Sequence, residues 1–230
     1  MAKTPSRPLL PATRLVTGGR RGEWTGTADQ PAAVVNPPVY RASTHLYPNT
    51  AALKTGPAKN EDGRFYYGRR GAPTQWALAE ALTELEPGAA GTMLYPSGVA
   101  AIFGALLAAL RPGDVLLMTD NAYEPSRTLG RQWLNEFGIE TRWFDPQDPA
   151  AFAAAICPRS KAVLLESPGS LTMEVQDVPA LAATAHANGL CVMVDNTWAG
   201  PLGFPALTLG ADITVMSLTK HVGGHSDLMM

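Results

Sequence analysis

The stretch DVPALAATAHANGLCVMVDNTWAG, residues 177–200, decides how the chain is read. Val178 to Asn188 reads as a helix that stops at Gly189, a residue well suited to end one. Cys191-Val192-Met193-Val194 follows as a continuous apolar run and ends on Asp195. A strand that is apolar on both faces belongs in a parallel sheet covered on both sides.

The same unit recurs in both directions. Downstream, Ile213-Thr214-Val215-Met216 reads as a strand that runs into Ser217-Leu218-Thr219-Lys220-His221. Upstream, Ala162-Val163-Leu164-Leu165 is a strand followed by Glu166-Ser167-Pro168-Gly169-Ser170. Before it come a short helix around Ala150 to Ile156, a strand from Glu140 to Phe144, and a helix from Pro125 to Phe137 that ends at Gly138. Earlier still lie strand Val115-Leu116-Leu117-Met118, a small-residue helix from Val99 to Leu110, and strand Thr92-Met93-Leu94-Tyr95. Thr74 is placed to cap a helix carrying Trp76, Leu78, Ala79, Leu82 and Leu85, which stops at Pro87-Gly88. Strands alternating with helices imply an α/β domain with right-handed crossovers.

Residues 1 to 65 differ. They are rich in Pro, Gly, Thr and Asn, and Asn36-Pro37-Pro38 and Lys59-Asn60-Glu61-Asp62-Gly63 read as turns and extended chain. We expect an N-terminal arm over 1–65 and an incomplete large domain over 66–230. The run Asp227-Leu228-Met229-Met230 enters an apolar segment at the end of the chain, which we read as truncation before a further domain.

Composition narrows the function classes. The 230 residues are 46% hydrophobic and 17% charged, with a formal net charge of −2. This is a globular composition, and nothing in the charge favours nucleic acid or a membrane surface. The first eight residues lack the apolar stretch of a signal peptide, and no window approaches the ~18 apolar residues of a membrane span. We expect a cytoplasmic protein. Cys157 and Cys191 are too far apart for a CxxC motif and read as two reduced, buried thiols.

In open α/β sheets, ligands bind beyond the carboxyl ends of the strands. Ser97-Gly98 lies between a strand and a helix; glycine lets the backbone approach a ligand, and a helix N-terminus favours a phosphate. A plain tight turn is the alternative. Asp195 could pair with a pyridinium nitrogen, cap a turn, or bind a metal. Lys220 follows two hydroxyls, Ser217 and Thr219, that could hold phosphate oxygens. In a desolvated pocket near another cation it would be a nucleophile; alone, a strand-end lysine is more often a surface residue. Tyr123 could stack on an aromatic ring or pack as core. Tyr66-Tyr67-Gly68-Arg69-Arg70 pairs aromatics with guanidinium groups shaped for phosphate, or is a solvated basic turn. His221 and His225 have helical spacing, but Gly223-Gly224 between them speaks against a metal site. No Gly-x-Gly-x-x-Gly at a strand-to-helix turn and no Walker loop supports a nucleotide-binding protein.

Seven stretches in fixed order carry a resemblance: Tyr67-Gly68-Arg69-Arg70-Gly71, Pro96-Ser97-Gly98-Val99-Ala100, Asn121-Ala122-Tyr123-Glu124-Pro125-Ser126, Trp143-Phe144-Asp145-Pro146, Glu166-Ser167-Pro168-Gly169-Ser170, Asp195-Asn196-Thr197-Trp198, and Ser217-Leu218-Thr219-Lys220 with Gly224-His225-Ser226-Asp227. From Thr13 onward the chain resembles the Cys/Met-metabolism enzymes that depend on pyridoxal 5′-phosphate, and among them the bacterial β-lyases. That resemblance implies the three-layer large domain of fold type I, the aspartate aminotransferase-like architecture, with a mostly parallel sheet.

It also implies roles. Lys220 would form a Schiff base with the cofactor and shuttle the Cα proton towards the leaving sulfur. Asp195 would pair with the pyridine nitrogen, and Tyr123 would stack on the ring. Backbone amides of Gly98 and Val99 in the Ser97 turn, with the hydroxyls of Ser217 and Thr219, would hold the phosphate. Tyr67 and Arg69 would reach the phosphate of a neighbouring subunit, so the site would need a homodimer, and the family is usually tetrameric. The implied reaction is α,β-elimination of L-cystathionine in methionine biosynthesis. Relatives acting at Cγ commonly read Glu-Ser-Pro-x-Asn-Pro and Asp-Asn-Thr-Phe, where this chain has Gly169-Ser170-Leu171 and Trp198. A γ-class relative and a non-catalytic remnant remain the alternatives.

Overall fold

The computed structural model describes residues 9–26, 34–54 and 65–230. The turn expected at Lys59 to Gly63 lies outside the described residues. Internal contacts divide the chain into two compact units: Met1–Leu85 with Ala89–Met93, and Glu86–Gly88 with Leu94–Met230.

The first unit carries four helices among its described residues: α1 (Pro11–Thr17), α2 (Gly22–Thr25), α3 (Thr50–Lys54) and α4 (Pro73–Leu85). A 3₁₀ turn, Gly68–Arg70, precedes α4. Trp24, Trp76 and Ala77 form its small buried nucleus. Thr74 does not cap α4 as expected. Pro73 already has a helical φ and starts the helix one residue earlier, leaving Thr74 inside the first turn. Its hydroxyl instead donates to Pro38 O (3.1 Å) and accepts from Tyr40 N (2.8 Å), pinning that extended segment.

The second unit begins with α5 (Gly98–Ala109) and continues β1 (Val115–Thr119), α6 (Glu124–Thr128), α7 (Leu134–Glu136), β2 (Glu140–Phe144), α8 (Pro149–Ala155), β3 (Ser160–Glu166), α9 (Val178–Ala187), β4 (Cys191–Asp195), α10 (Gly200–Gly203) and β5 (Ile213–Val215). The single helix expected over 125–137 is α6 and α7 joined by a wider π turn, Leu129–Trp133. All strands pair in parallel, in the order β2-β1-β3-β4-β5.

Alternation along each strand separates two cores. Val115, Leu117, Val163, Leu165, Val192 and Val194 point to one face, where Phe152 of α8 and Leu181 and Ala185 of α9 cover them. Leu116, Met118, Ala162, Leu164 and Met193 point to the other, against Ile102 and Leu106 of α5 and Leu134 of α7. Both faces are covered by helices, which is why these strands read as unbroken apolar runs. Each fully buried aliphatic side chain contributes roughly 1.5–3 kcal/mol. Asp177 caps α9 through a bond from Ala180 N (3.1 Å), and Asp148 caps α8 through bonds from Ala150 N and Ala151 N.

Two further expectations change. Thr92–Tyr95 is not a strand and pairs with none of the five. A strand needs a neighbour for its ladder; here the Thr92 hydroxyl bonds that of Thr83 instead (2.8 Å), and Met93 is exposed. Cys157 and Cys191 are free thiols as expected, but both are half-buried and not buried. Among the described residues, no helix is long and apolar enough to cross a membrane.

Candidate functional site

Parallel strands deliver their ends to one edge of a sheet, and here that edge gathers the polar residues. β3 ends on Glu166 and β4 on Asp195, and the two residues are direct partners in the register. β1 ends on Thr119, which leads to Asn121 and Tyr123, and β5 leads into Ser217 and Lys220.

Asp195 is 8% exposed, and burial pushes its carboxyl above the usual range. Its Oδ1 accepts from Thr197 N (3.0 Å), and the bonds from Thr197 offset part of the effect of burial. A buried carboxylate favours a cationic N–H donor in front of it. Thr197 carries the arrangement onward, because its hydroxyl accepts from Ser217 N (2.9 Å).

Ser217 faces the start of α5. A Cβ built on Gly98 would lie 2.8 Å from Ser217 Cβ and 3.1 Å from its Oγ, so only glycine leaves that gap open. Ser97 caps α5, its Oγ accepting from Ala100 N (3.2 Å). Among the described residues, the N–H groups of Gly98 and Val99 and the Ser217 hydroxyl have no partner. Two free amides at the N-terminus of a twelve-residue helix, with a hydroxyl beside them, suit a phosphate. The residues present therefore fit both ends of pyridoxal phosphate: an anion cradle at Gly98, and a carboxylate for the ring nitrogen at Asp195.

The remaining expected residues lie as follows. Tyr123 is exposed, and its backbone N–H donates to Glu166 Oε2 (2.6 Å). Lys220 is exposed; its N–H donates to Ser217 O (3.1 Å), and its ammonium forms no ion pair among the described residues. The Thr219 hydroxyl is engaged with Met230, accepting from its N–H (2.9 Å) and donating to its carbonyl (3.0 Å). His221 packs on exposed Trp198, with ring centroids 4.9 Å apart. His225 Nδ1 bonds Gly223 O (2.8 Å). Among the described residues no three His, Cys, Asp or Glu side chains are placed to hold a metal. Tyr67 and Arg69 belong to the first unit, where the guanidinium lies 5.7 Å from the Tyr67 ring centroid.

Glu166 stands out beyond the expected set. Burial, then the neighbouring Asp195, push its carboxyl up to about 7, against bonds from Ser170 and Tyr123 that lower it. Ser170 Oγ donates to Oε1 (2.6 Å). The sequence signal was available, since Glu166 ends an apolar strand just as Asp195 does. Its pairing with Asp195 was not, because register is a tertiary property.

These features define an open α/β domain with an anion cradle and a buried acid at the carboxyl edge of its sheet. The model of the Cys/Met-metabolism PLP-dependent enzymes matches residues 21–230. "Cystathionine beta-lyase MetC" of Escherichia coli is 40% identical over 220 residues, covering 95% of this chain and 54% of that protein. "Putative cystathionine beta-lyase" of Saccharomyces cerevisiae is 44% identical over 202 residues, covering 88% and 57%. The crystal structure of cystathionine gamma-lyase from Lactobacillus plantarum complexed with L-serine superimposes with a TM-score of 0.83 at 30% identity, covering 96% of this chain and 53% of that one. The chain belongs to the Cys/Met-metabolism PLP-dependent enzyme family, with the fold type I architecture of that family. It spans about half the length of the curated relatives it matches.

Proposed function

We propose that this chain is the cofactor-binding part of a PLP-dependent carbon–sulfur lyase that splits L-cystathionine by α,β-elimination into L-homocysteine, pyruvate and ammonia. The observation that carries the reading is Asp195, a buried strand-end carboxylate linked through Thr197 to the Ser217–Gly98 cradle. The names of the relatives support the choice of substrate.

Asp195 would pair with the ring nitrogen and keep its proton in place. Gly98 and Val99 offer N–H groups to the phosphate, with the hydroxyls of Ser217 and Thr219; Thr219 exchanges its bond to Met230 for this role. Tyr123 would stack on the ring of the bound cofactor. Pyridoxal phosphate, when bound, supplies an electron sink for the pair left at the substrate Cα. The Lys220 amine would hold the cofactor and would be the base that carries the Cα proton towards the leaving sulfur. A lysine acts this way only when desolvated, and in this chain Lys220 is exposed. Cover from further protein over this edge is therefore part of the proposal. We place Tyr67 and Arg69 at the phosphate of a neighbouring subunit, which makes the working form a homo-oligomer, a dimer at least and a homotetramer as in the family, in the cytoplasm and serving methionine biosynthesis.

Product analysis tests the reaction. L-cystathionine should yield pyruvate and homocysteine; 2-oxobutyrate and cysteine would instead establish the γ-class reading, which the L. plantarum neighbour supports. A band at roughly 410–430 nm on adding pyridoxal phosphate, lost in Lys220→Ala, is the expected sign of the lysine's role. The band without turnover would mark a cofactor-binding remnant.

A further inference from the structure

Glu166 belongs to no part of the chemistry above, yet its environment is the most constrained at the edge. It is half-buried at the end of β3, paired in register with Asp195. One carboxyl oxygen takes the Tyr123 N–H at 2.6 Å and the other takes the Ser170 hydroxyl at 2.6 Å. Its backbone carbonyl accepts from Gln176 Nε2, also at 2.6 Å. The carboxyl thus joins three chain segments: the loop after β1, the loop after β3, and the strand end beside Asp195.

The loop after β3 is tied in at both sides. Ser170 N donates to Asn121 O (3.0 Å), and Asn121 Nδ2 donates to Glu174 Oε2 (2.8 Å). A Cβ on Gly169 would lie 1.9 Å from Asn121 Nδ2, so the two loops meet in van der Waals contact. Leu171 and Met173 both adopt left-handed backbone, at φ 67° and 61°. Non-glycine residues hold that conformation only where their surroundings impose it. The turn is closed locally by Met173 N to Gly169 O (3.1 Å) and Gly169 N to Glu174 O (2.9 Å), and Glu166 and Asn121 hold its two sides.

We propose that Glu166 is a positioning residue of the cofactor site: by fixing the Tyr123 backbone and the Ser170 loop beside Asp195, it sets where the Tyr123 ring lies over the cofactor. The inference rests on the cofactor reading for Tyr123. Tyr123 is exposed; its carbonyl accepts from Arg127 N (3.0 Å) at the start of α6, and among the described residues its backbone N–H is held by Glu166 alone. A side chain held through a second group keeps the orientation that its own rotamers would not enforce.

The test compares wild type, Glu166→Ala, Glu166→Gln and Ser170→Ala in the full chain. Exchange of the Tyr123 amide is read without cofactor. Affinity for pyridoxal phosphate and the circular dichroism of its visible band are read after loading. In Glu166→Ala the Tyr123 amide should exchange about tenfold faster, cofactor binding should weaken about tenfold, and the induced dichroism should fall. Glu166→Gln keeps an acceptor for the amide and should restore most of all three. Ser170→Ala frees one side of the carboxyl and should move them in the same direction by a smaller factor; it also serves if Glu166→Ala does not fold. A Tyr123 amide unchanged in Glu166→Ala overturns the proposal. So does faster exchange with dichroism and affinity intact, or faster exchange spread evenly over β3 and β4, which is a merely structural role. A wild-type chain that takes up no pyridoxal phosphate overturns the function reading, while the amide still decides whether Glu166 holds Tyr123.

Discussion

At the residue scale, two acids at neighbouring strand ends set the electrostatics. Burial, then the neighbouring Asp195, hold the Glu166 carboxyl up at about 7, and burial raises Asp195 as well. The folded chain therefore keeps protons that the unfolded chain releases. Stability from Glu166 is present in full below its unfolded value and is lost as pH rises from about 4.5 to about 7. The loss is at most about 3 kcal/mol for this one group. Urea unfolding near pH 5 and near pH 8 should show the cofactor-free wild type weaker at the higher pH, and Glu166→Gln should lose visibly less. Glu140 and Glu174, held low by Arg and hydroxyl partners respectively, act with the opposite sign but below that window. A cation in front of Asp195 would ease the repulsion, so the cofactor should flatten the slope.

At the element scale, caps and close approaches decide the cost of change. Asp177 holds the first turn of α9, so Asp177→Ala should cost about 1 kcal/mol in urea unfolding and leave cofactor affinity unaltered. Gly98 opens α5 directly against Ser217. Gly98→Ala puts a methyl 2.8 Å from Ser217 Cβ and should cost about 1–3 kcal/mol while weakening pyridoxal phosphate binding in a titration. Elements with a clear period were legible in the sequence: α5, α9, β1, β3 and β4 lie within a residue or two of where the pattern puts them. Thr92–Tyr95 was not, because an apolar run reads as a strand whether or not a neighbour exists to pair with it. Thr74 was misread for a related reason, since Pro73 competes for the first helical position.

At the scale of the whole molecule, the second unit rests on a sheet packed on both faces. Leu164 and Leu165 are adjacent in sequence, yet each is buried in a different core. Leu164→Ala and Leu165→Ala should each cost about 2–5 kcal/mol by urea unfolding, through cavities on opposite sides of β3. The edge holding Asp195, Ser217 and Lys220 exists because all five strands run the same way. Reversing one strand would carry its terminal residue to the far edge of the sheet.

The sequence by itself determined the alternation of helices and apolar strands, and hence a parallel sheet with ligand chemistry at its carboxyl ends. It also singled out Asp195, Ser97-Gly98, Ser217 and Lys220, since a lone polar residue after an apolar run marks that edge. Only the tertiary structure decided which of them meet. Strand order and register put Glu166 beside Asp195, folded Thr197 onto Ser217 and brought Ser217 to Gly98. Local pattern encodes period and termination, which act over a few residues. Contacts such as Ser217 to Gly98 span more than a hundred, and are fixed by the packing of layers that no short stretch contains.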